Sequence, residues 1–570
     1  MKSLLRIIAT LLVAVTLLPA CRAQSPGTPL LPAATPVPTS VGMDTLPATA
    51  TPTPLATPTA TATLSSWGLV QGLPRDQTLV LAEDEPITLD PAMSQESTSH
   101  QYVTQIFSGL VRLDSQMRVA PDLAERWDVL DGGTRYVFRL RPGAKFHSGR
   151  RVTAQDVLFS LERAASPATG SLTAPTYLGD IVGVKEKLQG KAQRIAGLRA
   201  PDDSTVEIRI DGPKAYFLAK LTSPVAFVVD SENVARGADW YRQPNGIGPF
   251  RLKEWEKEQY LILERNKGFY REVPQVSYVL FRFLAGIPMS MYERGDIDVA
   301  YVSTGDLERV QDPQSPLRQE LRVYPELSVS YLGFNTAKPP FDDPMVRRAF
   351  ALAVDVDKLA QVVRQGRLPR ALGLLPPGIP GYIQETQPIP YDPIEARRLM
   401  TLSRYGGAGK LPPITYTTPG QGGPGPTASA LVEMWRASLG VEVSVRQLPP
   451  DAYYYRLREE VDNIFDFGWV ADYPDPENIL DVLFHSGAAN NIGAYASPQL
   501  DALLEAARIE QNVERRLAMY RQAQELVLAD AVAIPLWHGN TYVLVKRYVL
   551  GYVVTPGGLP ALESVRLERK

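Results

Sequence analysis

The period of apolar positions changes many times along this chain, and each change marks an element. Thr78-Leu-Val-Leu-Ala82 is a short apolar run, and Tyr136-Val-Phe-Arg-Leu-Arg141 alternates as a half-buried strand does. Residues 205–210, 260–264, 276–283, 329–335, 441–445, 463–469, 534–537 and 543–546 read as further strands. Helical spacing puts Tyr102, Ile106 and Leu110 on one stripe. Thr153 with Asp156 forms an approximate capping box that opens a helix through Leu161. Asp343 followed by Pro344 starts another, which ends near Val354. Further helices are expected over 357–366, over 427–439 with Gly440 as the stop, and as one stretch over 500–530. Prolines crowd 369–393, which reads as a long irregular connection. Strands and helices therefore mix in at least two cores. The class is α/β, with long connections in place of a regular βαβ repeat.

The first 74 residues have a different character. Lys2 and Arg6 flank the start of an apolar run from Ile7 to Leu18, the length of a signal-peptide core and short for a membrane span. The run ends in Leu18-Pro19-Ala20-Cys21, which resembles a bacterial lipobox. That implies a signal peptide over 1–20 and a lipid anchor on Cys21, although Pro19 departs from the usual small residue. An ordinary signal peptide with an accidental cysteine is the alternative. Cys21 is the only cysteine, so no disulfide forms within the chain. Residues 21–74, rich in Thr, Pro and Ala, read as an extended tether, open to sugars on its threonines.

Length allows several domains. With 59 basic and 62 acidic residues the formal charge is −3, which argues against a nucleic-acid partner. Enzyme signatures fail. No G-x-S-x-G elbow or S-x-x-K is present. Gly406-Gly-Ala-Gly-Lys410 has Arg404 where a phosphate loop needs its leading glycine, and Gly246 and Gly248 lack the third glycine of a dinucleotide fingerprint. His100, His147, His485 and His538 are too scattered for a zinc site, and His147 reads as structural. Asp472 and Asp475 could serve a glycosidase, but nothing completes a mechanism. No catalytic residue, metal or cofactor is assigned.

One stretch stands out, Gly468-Trp-Val-Ala-Asp-Tyr-Pro-Asp-Pro-Glu-Asn478. Pro474 and Pro476 remove backbone donors and push the residues before them towards extended geometry, so no helix runs through it. An alternating strand thus delivers Trp469 and Asp472 to a rigid turn, a placement suited to binding. A proline-rich turn with a core tryptophan and a capping aspartate explains the same residues.

Several further stretches decide between these readings. They are Leu89-Asp-Pro, Ala120-Pro-Asp-Leu-Ala-Glu-Arg-Trp, Leu140-Arg-Pro-Gly-Ala-Lys-Phe-His-Ser-Gly, Asn245-Gly-Ile-Gly-Pro-Phe, Gly333-Phe-Asn-Thr and Pro340-Phe-Asp-Asp-Pro. With the central stretch they resemble, over nearly all of 78–545, the peptide- and oligopeptide-binding proteins of ABC importers, family 5 of the bacterial extracellular solute-binding proteins. The resemblance implies a two-lobed periplasmic-binding-protein fold of type II (Venus flytrap). Lobe one would span 75–325 with an extra subdomain at about 111–243, lobe two 326–535, and 536–570 would return to lobe one. It also implies that Asp472 pairs with the α-ammonium group of a peptide. Trp469, Tyr473 and Tyr331 would flank the peptide, and Met93, Ser94, Gln95 and Glu96 would offer main-chain bonds. Dipeptide binders carry an arginine for the ligand carboxylate in the stretch matching Tyr416-Thr-Thr-Pro. Here Thr417 and Thr418 stand there, which favours peptides longer than two residues. Arg364, Arg367 and Arg370 are spare candidates for an anionic end.

The function expected is therefore a monomeric, lipid-anchored, extracytoplasmic capture protein. It would serve an importer's permease subunits and touch the membrane only through its anchor. An oligosaccharide, an opine-like solute or a metal chelate on the same fold is the alternative, since the aromatics could stack on sugar rings. A receptor serving no transporter is a third reading, and a hydrolytic enzyme an outsider.

Overall fold

The computed structural model describes residues 72–569 apart from 284, 285, 304, 367, 385 and 451. The signal peptide, Cys21, the tether up to residue 71 and Arg367 lie outside the described residues.

Three large sheets organise the body. The first has seven strands, in the order Leu321–Pro325, Asn540–Val545, Val299–Tyr301, Thr78–Ala82, Tyr278–Arg282, Tyr260–Arg265 and Phe250–Glu256. Thr78–Ala82 sits at its centre, parallel to both neighbours, and its Leu79 to Leu81 are almost wholly buried. Burial on both faces is why this strand reads as a continuous apolar run. The second sheet has five strands, in the order Val443–Leu448, Ile414–Pro419, Ile464–Val470, Ser328–Phe334 and Ala533–Trp537. The third has four, in the order Ala124–Leu130, Arg135–Leu140, Thr205–Arg209 and Leu198–Asp202. It is wholly antiparallel and packs the helix Ala154–Ala164 against it.

The chain leaves the seven-stranded sheet at Pro325 and enters the five-stranded sheet at Ser328; it returns between Trp537 and Asn540. These two short crossings lie side by side. The backbone N–H of Glu326 donates to the Gly539 carbonyl at 3.1 Å, and the Gly539 N–H donates to Ser328 Oγ at 3.1 Å. Two adjacent strand-to-strand crossings thus link the two sheets.

Local signals hold in detail. The Thr153 N–H donates to Asp156 at 2.8 Å, closing the capping box, and Asp343 accepts from the Met345 N–H at 2.9 Å. Gly246 lies so close to Ile106 that a Cβ would come within 2.0 Å of its carbonyl oxygen, which explains the glycine there. The single helix expected over 500–530 is instead two, Pro498–Ile509 and Val513–Ala529. Asn512 breaks it by accepting from the Arg515 N–H at 2.9 Å, a cap set inside an unbroken apolar period. No helix among the described residues is long and apolar enough to cross a membrane.

Candidate ligand-binding site

The strand Ile464–Val470 runs between Ile414–Pro419 and Ser328–Phe334 and ends where Pro474 and Pro476 deny both helix and strand. The helix Glu477–Phe484 begins directly after. Asn478, wholly buried, clamps the turn between them. Its Oδ1 accepts from Trp469 Nε1 and from the Asp472 N–H, each at 3.0 Å, and its Nδ2 donates to Asp472 Oδ2 at 3.3 Å. The Tyr177 hydroxyl, from the half that holds the four-stranded sheet, also donates to Asp472 Oδ2. Burial, then the Asp472 charge, holds the Tyr177 phenol well above its usual range. Both side-chain donors fall on Oδ2, and Oδ1 accepts no hydrogen bond among the described residues.

The other sequence-nominated residues are placed differently. Trp469 is half-buried and held by Asn478. Tyr473 is wholly buried, packs into the core beneath the four-stranded sheet and donates to Glu477 at 2.5 Å. Tyr331 is buried between Phe467 and Phe484, with ring centroids 5.6 and 5.8 Å away. Thr418 is buried and donates to Asp466 at 2.6 Å. In this conformation Tyr473 and Thr418 hydrogen-bond to, and Tyr331 packs against, partners inside the protein, and none of the three lines the cavity beside Asp472. Ser94 is buried, Met93 is half-buried, and Gln95 and Glu96 reach across to Arg458 and Tyr455 at 3.4 and 2.9 Å. Arg364 lies over the Trp537 ring at 4.4 Å, with burial lowering its pKa, and Arg370 is paired with Asp357.

A few residues beyond Asp472 the same turn is locked by charge. Asp475 takes a bidentate bond from Arg516 at 2.9 and 2.6 Å. Asp481 takes one from Arg508 at 2.7 Å on each oxygen. Glu477 meets Lys220 of the other half at 3.1 Å, and Lys220 also donates to Asp180 at 3.0 Å. Burial lifts Glu477 to about 7 against the pull of Lys220. Burial also opposes the Lys220 charge, but Glu477 and Asp180 overcome it and raise the lysine.

Asp472 borders a cavity of ≈ 210 Å³. Phe107, Leu113, Met117, Phe227 and Leu562 supply its apolar wall, and His100, Arg112, Asp122, Arg271 and Glu563 its polar one. Ser97, next to the Met93 to Glu96 segment, also lines it. Sequence reasoning reached Asp472 but not the other polar members. They come from positions far apart in the chain, and no local period or motif joins them. Among the described residues no cluster of His, Cys, Asp and Glu could hold a metal ion.

Comparison with known proteins agrees with this architecture. Residues 118–491 match the family described as bacterial extracellular solute-binding proteins, family 5 Middle. The chain is 31% identical to the probable deoxycholate-binding periplasmic protein YgiS of Escherichia coli, over 82% of this chain and 89% of that protein. It is 28% identical to the dipeptide-binding protein of Escherichia coli, over 86% and 95%. Among solved structures, the murein tripeptide binding protein MppA of Escherichia coli aligns with a TM-score of 0.78 at 25% identity, covering 87% of this chain and 100% of that one. Against that protein's unliganded open form the score falls to 0.67, in keeping with halves that meet here through Tyr177, Lys220 and Tyr455.

Proposed function

The chain belongs to the bacterial extracellular solute-binding proteins of family 5, and from that premise we propose that it captures peptides and hands them to an ABC importer. The observation that carries the reading is Asp472. Its carboxylate borders the cavity between the halves with one oxygen engaged and the other free. An ammonium group donating to that oxygen in a closed cleft forms a charge-assisted hydrogen bond about twice as strong as a neutral one. Relatives named for dipeptide and murein tripeptide binding support the solute class. Closure over the ligand follows from differential affinity, since contacts made only in the closed form shift the hinge towards it. The Cys21 anchor and the tether would hold this body at the outer surface of the membrane, where it meets the permease as a monomer. The family model and the relatives are named for binding, and the reading is accordingly of a protein that acts by binding.

One second reading has an observation behind it. The first relative named above is called deoxycholate-binding, and Phe107, Phe227 and Leu562 would suit the apolar body of a bile-acid carboxylate. Native mass spectrometry of the full-length protein, purified in a detergent free of bile salts, separates the two. A ladder of peptide masses that disappears in Asp472→Asn supports the peptide reading. A single bile-acid mass that survives the substitution replaces it.

A further inference from the structure

The polar residues that share the cavity with Asp472 are unevenly paired. Arg271 is ion-paired twice, with Asp122 at 2.9 Å and Glu563 at 2.8 Å, although its Nε, like that of Arg112, has no hydrogen-bond partner among the described residues. Arg112 is not. Its nearest carboxylate, Glu563, stands 4.0 Å away and is already held by Arg271, and its one other bond is a 3.3 Å contact to the Leu113 carbonyl. Arg112 Nε is buried and has no hydrogen-bond partner among the described residues. His100 Nε2 is in the same state, and both residues line the cavity. A guanidinium N–H shielded from water and without an acceptor is unfavourable, and an arriving anion relieves it. Guanidinium is also the side chain whose planar fork matches a carboxylate. One cavity of ≈ 210 Å³ thus has an under-used anion at Asp472 and an under-used cation at Arg112.

We infer that Arg112, assisted by His100, holds the carboxylate of the ligand, so that both charged ends of a short zwitterionic peptide lie inside one cavity. This rests on the peptide reading and narrows it. The carboxylate anchor moves from the five-stranded-sheet half to the strand Val111–Leu113 of the other half. The absence of arginine at Thr417 and Thr418 then no longer calls for a longer peptide. The expectation of ligands longer than two residues is narrowed to ligands short enough to close over completely.

The test is calorimetric titration of the full-length protein with trialanine, its C-terminal amide and an oligoalanine too long for the cavity, in wild type, Arg112→Gln and Arg112→Lys. Wild type is expected to bind the free acid about tenfold to hundredfold more tightly than the amide, the span of a hydrogen bond to a charged group. Arg112→Gln should erase that difference by weakening the acid alone. Its unchanged amide affinity shows that the variant is folded, and Arg112→Lys should restore part of the gap. Equal binding of acid and amide by a wild type that still needs Asp472 removes the inference and leaves the peptide reading intact. So does equal weakening of acid and amide by Arg112→Gln, or binding of the long oligoalanine as tight as that of trialanine. Failure of all three peptides to bind wild type removes the inference together with the reading it rests on.

Discussion

Asp472 and Asp475 lie three residues apart in one turn and face opposite circumstances. Asp475 is clasped by both arms of Arg516, and Glu477 beside it is matched by Lys220. Asp472 borders a cavity and keeps one oxygen unused. The first pair holds the turn in shape, and the second carboxylate is held in shape for something that arrives. A carboxylate therefore reads as structural or as ligand-facing according to whether its bonding capacity is already spent, and the surrounding sequence does not reveal that. In the same cavity Arg271 is ion-paired at 2.9 and 2.8 Å, while the nearest carboxylate to Arg112 stands 4.0 Å away.

Breaking the matched side should have the largest effect. Arg516→Met leaves the half-buried Asp475 without its ion-pair partner, and is expected to lower unfolding stability by about 3–5 kcal/mol in a denaturant titration. A loss below about 1 kcal/mol would mean that the pair does not hold the turn.

Next comes pH. The buried Glu477 has its pKa raised from its ordinary 4.5 to about 7. A carboxyl raised on folding contributes stability that is full below about 4.5 and is lost as pH rises through about 7. Glu477→Gln should flatten the stability profile across that window, by about 1–3 kcal/mol relative to wild type at 1.36 kcal/mol per pKa unit. Thermal unfolding of both proteins between those pH values checks this, and parallel profiles would contradict it.

The smallest effect expected is at Tyr177. Tyr177→Phe removes a bond across the halves but leaves the free Asp472 oxygen in place. Peptide affinity should fall by about tenfold or less, as for the loss of one ordinary hydrogen bond. A collapse of binding as deep as that of an Asp472 variant would show that Tyr177 touches the ligand.

Much of the fold is legible in the sequence because it rests on local chemistry. The alternation at 136–141 and 463–469, the Thr153 and Asp156 box and the Asp343 cap are decided within a few residues of one another. The break at Asn512 was hidden because no proline or glycine marks it and the apolar period runs on across it. Asp472 was reachable because the turn around it carries a family pattern. Arg112, His100 and Glu563 were not, since only tertiary packing puts them on one wall. Tyr331, Tyr473 and Thr418 show the reverse case, in which proximity to a binding stretch says nothing about which way a side chain is spent.

Whether the free oxygen of Asp472 receives the ammonium end of a peptide is decided by a cycle of two changes. Calorimetry of trialanine and N-acetyltrialanine against wild type and Asp472→Asn gives four affinities. Acetylation should weaken binding to wild type by about tenfold to hundredfold, the worth of a hydrogen bond to a charged group, and should have little effect on Asp472→Asn. If acetylation weakens both proteins equally, or neither, Asp472 does not meet an ammonium group and the ligand is held in another way.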